Sequence, residues 1–154
     1  MSIASELAAN ELKRRMSEQK QSEERRCREQ RLAKKSLEAW NRIADILRCM
    51  VSEYNNELQE LTAKMTSDTC SLEIVKFGRQ GRTTRVHLGN ADQPSIEFSV
   101  ALGKVRRPPA MEHLFWLDLD SEGGLFIWDE RKTNEVARVT EEDVATELLK
   151  IALT

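Results

Sequence analysis

Glycine and proline are missing from the first half of this 154-residue chain: the first glycine is Gly78 and the first proline is Pro94. Nothing in residues 1–65 carries the chemistry that usually ends a helix, and Ala, Leu, Glu, Lys, Arg and Gln dominate the stretch. Cysteine is scarce too. Cys27, Cys49 and Cys70 are an odd number without C-x-x-C spacing, which argues against a disulfide framework and for reduced thiols. No apolar run approaches the ~18–20 residues of a membrane-spanning helix, so no membrane partner is expected. The opening MSIASELAANELKRR has no signal-peptide apolar core, and its two glutamates disfavour a transit peptide. A cytoplasmic location is the expectation.

A hydrophobic share of 40% beside a charged share of 32% is lean for a compact globule. It points to a long solvated element next to a modest core. The net charge of −2 argues against general attraction to nucleic acid, but the charge is segmented. Residues 13–35 hold ten Lys/Arg against four Glu, and residues 112–154 hold four basic against eleven acidic groups. Such blocks favour charge-selective partners or self-association.

What is present in the first half is periodicity. From Leu37 a heptad runs through Leu37, Ala44, Val51, Leu58 and Met65 at one core position. Trp40, Leu47, Tyr54 and Leu61 occupy the other, and Ile43 and Met50 widen the stripe. The spacing predicts a helix over 37–66. Its apolar face either packs on the chain's own sheet, pairs with a second copy, or does both. Residues 17–31, SEQKQSEERRCREQR, have one apolar member, Cys27, so no core can bury them. Residues 1–36 read as a charged, projecting or partly disordered helical arm. It is supported by Glu11–Arg15, Glu24–Arg28 and Glu38–Arg42 at i,i+4 spacing, each worth ~0.2–0.5 kcal/mol. A basic helix leading into a heptad invites comparison with basic-leucine-zipper proteins, whose basic region places an asparagine and an arginine eight apart. Here Asn10 is followed by Glu18, and that identity is excluded.

After TSDT the period becomes two. CSLEIVKF, TTRVHL, SIEFSVAL, LFWLDLD and LFIW read as strands, with EVARV a short sixth. The short gaps between them predict antiparallel hairpins over about residues 70–138. Leu72, Ile74, Val86, Leu88, Ile96, Phe98, Val100, Leu102, Phe115, Leu117 and Leu119 share one face. Glu73, Arg85, His87, Glu97, Ser99, Trp116, Asp118 and Asp120 share the other. A closing helix over 140–153 has Thr140 as N-cap. The expected fold is α+β: a long N-terminal helix, a meander of five or six strands and a C-terminal helix, both helices on one sheet face. Residues 37–154 form the folded domain.

Candidate chemistry is thin. His87 falls on a strand and His113 in a loop, without a third ligand at zinc spacing. Asp118 and Asp120 share a strand face as solvated acids do, and Cys49 falls near the apolar stripe as a structural thiol. No glycine-rich phosphate loop opens a helix. No cofactor, metal or catalytic residue is expected. In FGRQGRTTR, Gly78 and Gly81 serve the turn, Lys76 and Arg82 share the core parity, and Arg85 points the other way.

The expectation is a non-enzymatic interaction or scaffold protein that self-associates as a dimer, or binds another protein. The face involved would be Leu37, Trp40, Leu47, Val51, Tyr54, Leu58 and Leu61. The alternative is nucleic-acid binding through Arg28, Arg31, Lys35, Arg79, Arg82, Arg106 and Arg107.

Overall fold

Helix α1 is continuous from Ile3 to Leu58, about 84 Å at 1.5 Å per residue. Ser2 caps its start by accepting a hydrogen bond from the Ser5 amide. The computed structural model describes residues 2–89, 93–103, 109–129, 131 and 138–154. Arm and core helix are thus two stretches of one element, without a break at residue 36.

The heptad projects the helix to residue 66, yet α1 stops at Leu58. Gln59 takes the left-handed conformation (φ 54°, ψ 29°), which glycine usually supplies. Its amide donates to the Asn56 carbonyl and the Glu60 amide to Asn55, a Schellman closure without glycine. The Asn55 side chain then accepts from the Thr62 and Ala63 amides and donates to the Ala63 carbonyl. The Asn55 side chain thus ties the end of α1 to the start of strand β1 (Ala63–Ser67), which holds Met65.

β1 opens a sheet that continues through β2 (Ser71–Lys76), β3 (Arg82–Gly89), β4 (Ser95–Leu102), β5 (Glu112–Leu119), β6 (Leu125–Asp129) and β7 (Arg138–Val139). Each strand pairs antiparallel with the next, so spatial order follows chain order in a seven-stranded meander. The sheet curves into a half-barrel. Helix α2 (Glu141–Leu153) follows, with a reciprocal capping box between Thr140 and Asp143.

Both helices cover the same sheet face, and the core lies between them and it. From α1 come Trp40, Ile43, Leu47 and Val51; from the strands Leu72, Ile74, Val86, Ile96, Phe115 and Leu117; from α2 Val144, Leu148 and Ala152, all buried. The period-two faces hold in β2, β3 and the start of β4. Phe98 and Val100 are only half-buried and Leu102 is exposed, because they run out toward the end of β4.

The register slips once. Ile96 faces Phe115 while Glu97 faces His113, so Leu114 is an extra residue on β5, a β-bulge. Leu114 and Phe115 are consecutive and both buried. Beyond the bulge the parity of β5 inverts, and His113 lies on a strand, not in a loop.

Long-range partners also displace two expected helix pairs. Glu11–Arg15 forms at 3.3 Å, but Arg28 reaches Asp118 and Arg42 pairs with Glu141 at 2.7 Å. Both carboxylate oxygens of Glu141 share the single Nε–H of Arg42 and hold the Arg42 guanidinium pKa above its ordinary value. That contact ties α1 to the first turn of α2.

Leu47 is fully buried and Leu58 half-exposed. Leu47→Ala is expected to cost about 2–5 kcal/mol in urea unfolding, and Leu58→Ala less than about 0.5 kcal/mol. Thr84 Oγ1 is buried without a hydrogen-bond partner among the described residues. Removing the hydroxyl as Thr84→Val is expected to raise stability by about 1 kcal/mol in the same assay.

Candidate interaction site

Three surfaces gather the residues that could meet a partner: the apolar stripe of α1, the basic positions, and the sheet face that neither helix covers. The stripe divides. Trp40, Leu47 and Val51 are buried by the chain's own sheet and α2, and Leu37 and Tyr54 are half-buried against the same core. Leu58 and Leu61 are 50% and 68% exposed, but Leu61 lies past the end of α1.

The basic positions do not converge. Arg28 donates to Asp118 Oδ1 at 3.4 Å and to the Leu119 carbonyl at 3.2 Å. Lys35 donates to the Gly123 carbonyl at 2.7 Å. Arg31 lies against Gly123, where a Cβ would sit 3.1 Å from its Nη1. These three, spaced along one stripe of α1, grip the β5–β6 turn. Within that turn Asp120 Oδ1 accepts from the Glu122 and Gly124 amides, a structural duty for a carboxylate.

At the β2–β3 hairpin Lys76 and Arg82 stand directly opposite and point inward, as their parity predicts. Lys76 Nζ donates to the Leu153 carbonyl at 2.7 Å and Arg82 to the Ile151 carbonyl at 2.9 Å. Two cations thus satisfy carbonyls at the negative end of α2. Arg79 is exposed at the tip, separated from Arg82 by this engagement. Arg106 and Arg107 lie outside the described residues.

The outer sheet face carries what sequence reading underweighted. His87, Glu97 and His113 stand directly opposite one another on β3, β4 and β5. Glu97 meets His87 Nε2 through Oε2 and His113 Nδ1 through Oε1, each at 3.2 Å. Gly89 leaves room for this carboxylate, since a Cβ there would sit 3.1 Å from Oε1.

From His113 the row continues as rings. His113 stacks on Trp116 with centroids 4.7 Å apart, Trp116 on Trp128 at 6.5 Å, and Phe126 stands 5.5 Å from Trp128. Arg138 covers Phe126 at 4.8 Å, a cation–π contact. Both tryptophans are half-buried. The bulge at Leu114 makes the stack, because it brings His113 to the side of Trp116 despite their odd spacing. The consecutive apolar pair after His113 is its sequence signal.

A groove of about 870 Å³ runs beside His87, lined by Cys70, Glu73, Arg85, Ser99, Pro109 and Met111 among others. Arg85 pairs across it with Glu73 at 3.2 Å. Ser95 Oγ and Glu97 both meet the same His113 nitrogen. They do not form a relay of nucleophile, base and orienting acid, which uses the two ring nitrogens separately. Among the described residues no group of three His, Cys, Asp or Glu side chains is disposed to hold a metal ion. Cys49 is exposed rather than set in the stripe. No helix among the described residues is long and apolar enough to cross a membrane.

No protein-family model, curated protein or solved structure matches this chain.

Arg82→Ala removes a donor from the end of α2 and is expected to lower stability by about 1 kcal/mol. Arg79→Ala is expected to change it by less than about 0.5 kcal/mol. Paired urea denaturation curves separate the two.

Proposed function

We propose that this chain is a non-enzymatic interaction protein that self-associates through the free part of α1 and acts as a cytoplasmic scaffold. One observation carries this: from Ile3 to Arg31 every residue of α1 except Glu11 is exposed. Helix pairs worth a few tenths of a kcal/mol do not explain why a rigid arm leaves Ile3, Leu7, Leu12 and Met16 between 59% and 75% exposed. An apolar row on a projecting helix is the usual substrate of helix-in-groove recognition. The stripe from Trp40 to Val51 is occupied by the chain's own sheet, so association falls to the arm.

Nucleic-acid binding has less support. Arg28, Lys35 and Arg82 are already engaged within the chain, and the aromatic face carries Glu97 and Asp118 among its rings.

Light scattering on the full chain at about 50 µM is expected to return a dimer. A strictly monomeric mass would remove self-association. A salt-dependent complex with DNA or RNA at about 50 mM salt would restore the nucleic-acid reading.

A further inference from the structure

We propose that strand β1 pairs antiparallel with β1 of a second copy across a two-fold axis at Thr66, joining the two sheets edge to edge. This surface is separate from the arm of α1 and goes beyond the association proposed above.

β1 forms one edge of the sheet. The Phe77 amide donates to the Thr62 carbonyl and the Asp68 amide to the Ser71 carbonyl. Backbone groups along an antiparallel strand alternate in direction. Lys64, Thr66 and Asp68 therefore turn toward β2, and Ala63, Met65 and Ser67 turn to the edge. Ala63 is already satisfied, because the Asn55 side chain meets both its amide and its carbonyl. Among the described residues no group bonds the amide or carbonyl of Met65 or Ser67, and Arg48 reaches Ser67 only through Oγ. Proline, a bulge or very short length often blunts such an edge. β1 has five residues with neither proline nor bulge, whereas β7 at the other edge has two.

Register selects a second copy as the occupant. Pairing Met65 of one copy with Ser67 of the other, and the reverse, lets all four edge-facing residues exchange both backbone hydrogen bonds. Pairing Met65 with itself would bring Ser67 opposite Ala63, whose groups Asn55 holds. Pairing Ser67 with itself would bring Met65 opposite Thr69, whose amide is bonded to Asp68. In the first register the side chains match as well. Lys64 stands opposite Asp68 of the other copy, twice by symmetry, and Thr66 stands opposite Thr66. Lys64 and Asp68 are exposed, and neither forms an ion pair among the described residues. Only Oδ1 of Asp68 is engaged, by Thr69. Cross-strand pairs of opposite charge and of threonines both favour a sheet. A foreign strand would have to supply this same pattern, and every copy of the chain carries it.

The test places a cysteine on the axis of the full chain. Position 66 would face itself in a non-hydrogen-bonded pair with Cα atoms about 4.5 Å apart, a separation that a disulfide spans. Thr66→Cys is oxidised, and peptide mass spectrometry locates the bridges. The proposal expects a disulfide joining position 66 of two copies. In the Thr66→Cys background, Lys64→Asp or Asp68→Lys alone puts like charges opposite one another, and each is expected to reduce that bridge about tenfold. Mixing the two variants, one isotopically heavy, restores opposite charges at both pairs, so bridges between heavy and light chains are expected to return. A dimer by light scattering that yields no bridge at position 66 would overturn the edge pairing while leaving association by the arm standing. A bridge unchanged by either reversal, or not restored by mixing, would overturn it too. A monomer at every concentration, with no bridge, would overturn both.

Discussion

Everything else in this molecule depends on one burial: Trp40, Ile43 and Leu47 of α1 pressed into the concave side of the sheet, each at most 1% exposed. A meander of short strands has one apolar face and cannot stand alone in water. α1 supplies the larger part of its cover, and α2 closes the remainder. Burying these three side chains contributes on the order of 2–3 kcal/mol each. The same element must then meet water for its first thirty residues. Its composition changes accordingly, from an apolar stripe to alternating Glu and Arg, while its backbone does not.

Electrostatics fix how α2 sits on that core. Glu141, Glu142 and Asp143 occupy its first turn, where the helix dipole favours them, and Glu141 is clamped by Arg42 from α1. Its far end receives Lys76 and Arg82 from the β2–β3 hairpin. Asp129, buried at the end of β6, bonds Arg131, which also reaches Glu147 of α2. The hydrogen bonds that the Arg131 guanidinium donates to the Asp129 carboxylate hold its pKa above the ordinary value. α2 is therefore held by charge at its start, middle and end, and by Val144, Leu148 and Ala152 in between.

Much of this was legible in residue order. The 3.5-residue repeat, the switch to period two and the Thr140 cap locate the elements because each is a local pattern. The parity of Lys76 and Arg82 also placed both on the core side of the hairpin. What escaped was set by contacts remote in sequence or by backbone states that residue type rarely reports. Gln59 ends α1 in a conformation usually left to glycine, and the Asn55 side chain ties that end to β1. Met65 fits the heptad by spacing alone. The Leu114 bulge depends on β4 as its partner, so the His113–Trp116 stack could not be read from alternation along β5. The carboxylate of Glu97 joins two histidines only once three strands are in register.

The segmented charge now has a structural address. The basic block is the exposed part of α1, and the acidic block is the sheet edge and α2 that its inner end already touches. Arg28, Arg31 and Lys35 show the two blocks meeting where the helix passes the β5–β6 turn. Beyond that turn, among the described residues, the ion pairs of the arm are made only with the helix itself, as Arg14 and Arg15 do with Glu11 and Glu18. Exposed pairs of this kind contribute little, so the outer part of the arm adds little to the stability of the fold.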